Sequence, residues 1–170
     1  HTSIRDWSQG GAFVANLFGG RMEVRDELGR STPFMKPHTT EVAGMSVTYG
    51  GDHRFVGNVF VNHGLSSYDS MPQTLYAVGN HYLGSATVSK QDKEAKAGYG
   101  EAKFKISNRG VKVSGAGWDK VKTLTSPEIK KGSLPEPLIS VYPYANFDGS
   151  PWALPPQKYG DLFAPNLLDR

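Results

Sequence analysis

The chain has 170 residues, a formal net charge of +3 and no cysteine. That length holds one ordinary domain, or one and part of a second, and the missing cysteines exclude disulfide staples, thiolate zinc sites and cysteine nucleophiles. Nineteen basic against sixteen acidic residues, spread without a dense patch, argue against nucleic acid, and no apolar run approaches the roughly 20 residues that span a bilayer. Twenty glycines and eleven prolines without a strict period point to many turns between short strands. The start, His1-Thr2-Ser3-Ile4-Arg5-Asp6, has neither an initiator methionine nor a signal-peptide layout, and reads as cut from something longer.

A repeat organises the first half. Residues 13–18 read Phe-Val-Ala-Asn-Leu-Phe, residues 55–60 Phe-Val-Gly-Asn-Val-Phe, and residues 78–82 Val-Gly-Asn-His-Tyr. The shared core is Val-x-Asn-x-aromatic, centred on Asn16, Asn58 and Asn80, with spacings of 42 and 22. Twenty-two residues suit one coil of a right-handed parallel β-helix, and 42 suit one coil with an insertion of roughly 20 residues. The insertion is the polar, charged stretch 21–37, read as an inserted loop. Val, Asn and aromatic at i, i+2 and i+4 fall on one face of a strand. With that face inward, the aromatics stack coil on coil and the asparagine amides form a ladder. The first unit is therefore expected over 1–88.

A second, β-rich and proline-rich unit is expected over 89–170. Residues 89–105 are polar and read as running over the surface. Residues 102–107 and 110–114 alternate apolar and polar around Asn108-Arg109-Gly110, which predicts a hairpin. Residues 118–124 read as a further strand. Beyond Pro127 only 138–142 reads as regular structure, and the tail is expected to wrap over a surface formed elsewhere. The fold class expected is all-β: right-handed parallel β-helix coils, then a β-sandwich-like or irregular C-terminal region.

Two polar segments flank the glycine corners Gly10-Gly11 and Gly50-Gly51. One carries Asp6 and Trp7, the other His38 and Glu41. Hydrolysis of a glycosidic bond needs two carboxyl groups, about 5–5.5 Å apart for retention of configuration and about 6.5–9.5 Å for inversion. Neighbouring strands lie about 4.8 Å apart, so matching positions on successive coils approach the first distance. Asp6 and Glu41 are the pair this logic selects. The match is imperfect, since Asp6 precedes its repeat asparagine by 10 residues and Glu41 by 17. Trp7 is a stacking surface for a sugar ring, and His38 can orient a hydroxyl or tune Glu41. Asp69, 11 residues before Asn80, is a third candidate for the substrate side. Asp52, His53 and Arg54 read as a polar corner that bonds the turn backbone. The five histidines have no known ligand spacing, so no metal site is expected; scattered oxygens leave calcium open as the one cofactor.

The stretches Asp6-Trp7-Ser8-Gln9-Gly10-Gly11-Ala12-Phe13-Val14-Ala15-Asn16-Leu17-Phe18, Thr32-Pro33-Phe34-Met35-Lys36-Pro37-His38-Thr39-Thr40-Glu41-Val42-Ala43-Gly44 and Gly50-Gly51-Asp52-His53-Arg54-Phe55 resemble the late coils of parallel β-helix glycoside hydrolases, closest to the β-xylosidase-like enzymes of family 120. The resemblance covers residues 4–83 and continues more weakly through Asn146-Phe147-Asp148-Gly149-Ser150-Pro151. It implies a retaining, exo-acting glycosidase on xylo-oligosaccharides or related plant or algal glycans, with the nucleophile at Asp6 and the acid/base at Glu41. Members of that family are several times longer. The resemblance therefore also implies missing N-terminal coils or another subunit as partner, beside the oligosaccharide substrate.

Two other readings stay open. One is a non-catalytic glycan-binding or structural module, for which three tryptophans, eight tyrosines and eight phenylalanines supply surfaces. The other is a polysaccharide lyase, whose neutralising cation would come from Arg5, Lys36 or Arg54. An extracellular or periplasmic location fits all three.

Overall fold

The computed structural model describes residues 1–36, 41–108, 110–124, 133–135 and 140–141. In chain order the elements are β1 (Thr2–Asp6), β2 (Ala12–Val14), β3 (Leu17–Phe18), β4 (Arg21–Val24), β5 (Glu27–Met35), β6 (Val42–Thr48), β7 (Arg54–Val56), β8 (Val59–Val61), a 3-10 turn (Ser66–Ser70), β9 (Tyr76–Val78), β10 (His81–Leu83), β11 (Lys103–Ser107), β12 (Gly110–Ser114), α1 (Ala116–Val121) and β13 (Ser140–Val141). The described residues are thus mostly strand, and the class is all-β. No helix among them is long and apolar enough to cross a membrane.

The repeated segments lie side by side. β2, β7 and β9 form one parallel sheet in which Phe13 pairs with Phe55 and Phe55 with Ala77. β3, β8 and β10 form another, pairing Phe18 with Phe60 and Phe60 with Tyr82. Both registers are offsets of 42 and then 22, so every repeat position sits against its equivalent. Strands hydrogen-bonded at about 4.8 Å force side chains at equal positions into contact at nearly that spacing. The rings obey: Phe13 and Phe55 stack at 4.7 Å, Phe18 and Phe60 at 5.0 Å, Phe60 and Tyr82 at 5.3 Å. With Met22, Leu65, Tyr68 and Leu75 they build the main core.

The asparagines stack as well. Asn58 Oδ1 accepts from the Asn16 backbone N–H at 2.9 Å and from its side-chain amide at 3.2 Å. Asn80 Oδ1 accepts both groups of Asn58 at 2.9 Å. Each inner amide also donates across to a carbonyl, Asn58 to Phe13 and Asn80 to Phe55. Asp92 closes the ladder by accepting from Asn80 at 2.8 Å. Asn58 and Asn80 are fully buried, and this bonding is what permits a polar row inside an apolar stack.

One detail departs from the alternation argument. The residue before each asparagine is left-handed: Ala15 has φ 54°, Gly57 61° and Gly79 66°. Each rung is therefore two short strands around a corner, not one strand. The corner resets the period, so Asn and the aromatic point inward while Val56 and Val78 line an outer groove.

Three other expectations are corrected. The stretch 21–37, read as an inserted loop, contains β4, which pairs parallel with β1, and β5, which pairs antiparallel with β6. The polar run 89–105 is not only a surface crossing, because Asp92 bridges to Ala77 and Lys96 to His81 as a further parallel rung. Of residues 118–124, read as a strand, 118–121 belong to α1 instead; Gly117 and Val121, one helical turn apart, are its buried face. α1 packs with Val61, Leu83 and Ala102 in a second small core. The predicted hairpin is present as β11 and β12 in antiparallel register. β13 falls in the predicted strand 138–142 and pairs with β5.

Candidate functional site

β1 runs beside β4 and delivers Asp6 at its C-terminal end, where Asp6 pairs in register with Val24. The chain then turns through Ser8 into the first rung. Asp6 is 4% exposed. Its Oδ1 accepts from the Ser8 backbone N–H at 2.9 Å and from the Ser8 hydroxyl at 2.7 Å. Its Oδ2 accepts from the Tyr68 hydroxyl at 2.7 Å and lies 2.8 Å from His53 Nε2. Burial alone pushes the Asp6 pKa up, but the hydrogen bond and charge interaction with His53, joined by Ser8 and Tyr68, outweigh it and bring the group down to about 2. Asp6 is therefore a carboxylate at any physiological pH. Burial and the Asp6 charge drive the Tyr68 hydroxyl far above its ordinary range, so it stays a donor.

His53 is fully buried, and its placement follows from the repeat. It stands 42 residues after Gly11, and the Gly11 backbone N–H donates to His53 Nδ1 at 2.9 Å. With Nδ1 accepting, the ring proton belongs on Nε2, facing Asp6. Only glycine fits opposite: a Cβ on residue 11 would stand 2.9 Å from Nδ1. The ring is held edge-on between Phe13 at 5.8 Å and Tyr68 at 5.9 Å.

Glu41 lies elsewhere on the chain path, at the base of β6 beside the end of β5. It is exposed and ion-paired with Lys36, and the Lys36 N–H donates to the Glu41 carbonyl at 2.9 Å. Glu41 is not among the partners of Asp6. His38 lies outside the described residues. Trp7 follows Asp6 and is half-buried, with the Arg25 guanidinium 4.1 Å over its ring. Asp69 sits in the 3-10 turn and gives its carboxylate to the Ser89 hydroxyl at 2.5 Å and the Lys90 N–H at 3.1 Å, which ties two loops together. Asp52 and Arg54 pair at 2.9 Å, and Arg54 also donates to the carbonyls of Asp52 and Pro135. Arg5 is bound to Glu23 at 2.9 Å. Among the described residues no group of three or more histidines and carboxylates could hold a metal ion.

Sequence reasoning missed His53, Tyr68 and Ser8 as partners of Asp6. The signal for His53 was available in the repeat: a histidine exactly one 42-residue step from a glycine has room where any other neighbour would exclude it. Tyr68 carried no such signal, because it arrives from the turn between rungs.

The comparisons add one likeness. The solved structure titled "The complex structure of XylC with xylose" matches 62% of this chain at 29% identity, with a TM-score of 0.51. The match covers 22% of the XylC chain, so this chain spans less than a quarter of that protein. No family model matches the chain, and no curated protein does.

Proposed function

We propose that the chain is glycosidase machinery acting on xylose-containing glycans, and that its stacked rungs are coils of a right-handed parallel β-helix. The likeness to XylC with bound xylose carries this reading, and the family 120 resemblance of the residues around Asp6 points the same way. In it, residues 1–88 form the coils and 89–170 the appended β region. Further coils or a second subunit complete the sugar pocket.

The chemistry assigned is retaining. Asp6 attacks the anomeric carbon, and Glu41 protonates the leaving oxygen and then activates water, which requires the β5–β6 arm to bring Glu41 from its exposed, Lys36-paired position to about 5–5.5 Å from Asp6. The buried, ionised state of Asp6 supports its part, since a nucleophile must be deprotonated at the working pH. Its oxygens take three hydrogen bonds, two from Ser8 and one from Tyr68, with His53 Nε2 2.8 Å from Oδ2, so attack requires that one partner let go. Ser8 is the partner best placed to do so, because it is half-buried while Tyr68 and His53 are enclosed.

That same full set of partners favours a second reading, a non-catalytic glycan-binding module in which Asp6 is a structural carboxylate. Hydrolysis of an aryl β-xyloside by the protein with its further coils or second subunit in place, and by its Asp6→Asn and Glu41→Gln variants, separates the two. Catalysis predicts turnover that falls at least about a thousandfold in both variants. Sugar binding without turnover, or turnover unchanged in both, removes the mechanism.

A further inference from the structure

At the ends of β1 and β4 lies a small open pocket of about 280 Å³ lined by Arg5, Trp7, Glu23, Val24 and Arg25. It is linked to the candidate nucleophile through the backbone: Trp7 is the next residue and the Arg25 N–H donates to the Asp6 carbonyl at 3.1 Å, while the Asp6 carboxylate itself is buried against His53 and Tyr68. Its charge is unbalanced. Glu23 is the one carboxylate in the lining, and it is already engaged by Thr2 at 2.7 Å, Arg5 at 2.9 Å and Arg21 at 3.2 Å. Arg25 has no carboxylate partner among the described residues. Its guanidinium lies over the Trp7 ring instead, which fixes the plane and leaves the in-plane N–H groups available.

We propose that this pocket binds the carboxylate of an acidic sugar, a uronosyl unit carried by the glycan, with Arg25 as the bidentate donor and Trp7 as its platform. The inference rests on the glycan reading above and narrows its substrate class. A planar fork matches a carboxylate with two parallel hydrogen bonds. The Glu23 charge does not bar an anion, because Arg5 and Arg21 already neutralise it.

The test is calorimetric binding of the 170-residue chain to a linear neutral xylo-oligosaccharide and to the same oligosaccharide bearing one glucuronosyl branch, for wild type, Arg25→Gln and Arg25→Lys. The acidic sugar is expected to bind about tenfold tighter in wild type, the scale of one charge-assisted bidentate contact. The ratio of the two dissociation constants falls to about one in Arg25→Gln and is partly kept in Arg25→Lys, since a lysine keeps the charge but not the fork. Unchanged thermal midpoints show that the variants fold. Binding of both sugars without preference, or a preference that survives Arg25→Gln, overturns the inference and leaves the glycan reading standing. Competition by inorganic sulfate as effective as by free glucuronate overturns it too, because the pocket is then a general anion trap. Binding of neither sugar removes the glycan reading together with the inference.

Discussion

Replacing Asn58 with leucine keeps the volume and removes the amide. The stacked rungs make the cost calculable. Asn58 Oδ1 receives two donors from Asn16, and Asn58 Nδ2 supplies Phe13 O and Asn80 Oδ1. Asn80 Oδ1 keeps the Asn58 backbone N–H, so it is not orphaned. The Asn16 backbone N–H loses its partner, whereas the Phe13 carbonyl keeps its bond in the β2–β7 ladder and loses only a second donor. With one backbone group left unpaired at about 1–3 kcal/mol, the loss is about 1–3 kcal/mol. For a chain of this size that is a fall in Tm of about 2–12 °C. Asn16→Leu is the control, because Asn16 is exposed at the end of the ladder and the Asn58 backbone keeps its own bond to Asn80; its cost is expected below about 1 kcal/mol. Urea unfolding followed by far-ultraviolet circular dichroism measures both. If the two variants are destabilised equally, the asparagine ladder is not what holds the polar row in the core, and the stacking argument fails.

Other outcomes follow from the Asp6 site and the corners. The folded Asp6 pKa of about 2 lies below its ordinary 3.8, so its contribution is complete above about pH 4 and is lost as the pH falls toward 2; the size is about 2 kcal/mol. Asp6→Asn is expected to flatten the acid limb of a stability-against-pH curve in that window, and an unchanged limb would show that the carboxylate is not held by His53, Ser8 and Tyr68. Gly11→Ala places a methyl against His53 Nδ1 and is expected to destabilise by about 1–3 kcal/mol and to shift the His53 ring resonances in NMR spectra. Ala15→Gly relieves the left-handed strain at the one corner that lacks glycine and is expected to raise stability by up to about 1 kcal/mol, read from the urea midpoint.

The stack was legible because a repeat reports register directly: matching Asn16, Asn58 and Asn80 fixes every neighbouring pair, including Phe18 against Phe60 and Tyr82. Strand breaks inside the rung were less visible. Gly57 and Gly79 announce a left-handed corner, but Ala15 hides it, and period-2 counting ran through all three. The β5–β6 arm was read as a loop for a different reason. Its strands carry charged, exposed residues such as Glu27 and Arg30 and bury apolar groups only near Thr32, Pro33 and Met35, so the apolar alternation that marks a half-buried strand is missing over most of its length. At the site, Asp6 and Trp7 were readable as candidates, while His53 and Tyr68, which define the chemistry of Asp6, lie 47 and 62 residues away, where only the topology brings them in. Arg25 over Trp7 depends on β4 pairing with β1, which a polar stretch read as a loop could not foretell.

The central claim is that Asp6 is a glycosidase nucleophile, and its most direct measurement is covalent trapping. Incubation of the chain with an activated 2-deoxy-2-fluoro-β-xyloside, followed by proteolysis and peptide mass spectrometry, reads the site of attachment. The account predicts one fluoroxylosyl adduct on Asp6, absent from the Asp6→Asn variant. A chain that binds the sugar yet carries no adduct, or carries it on another residue, contradicts the account.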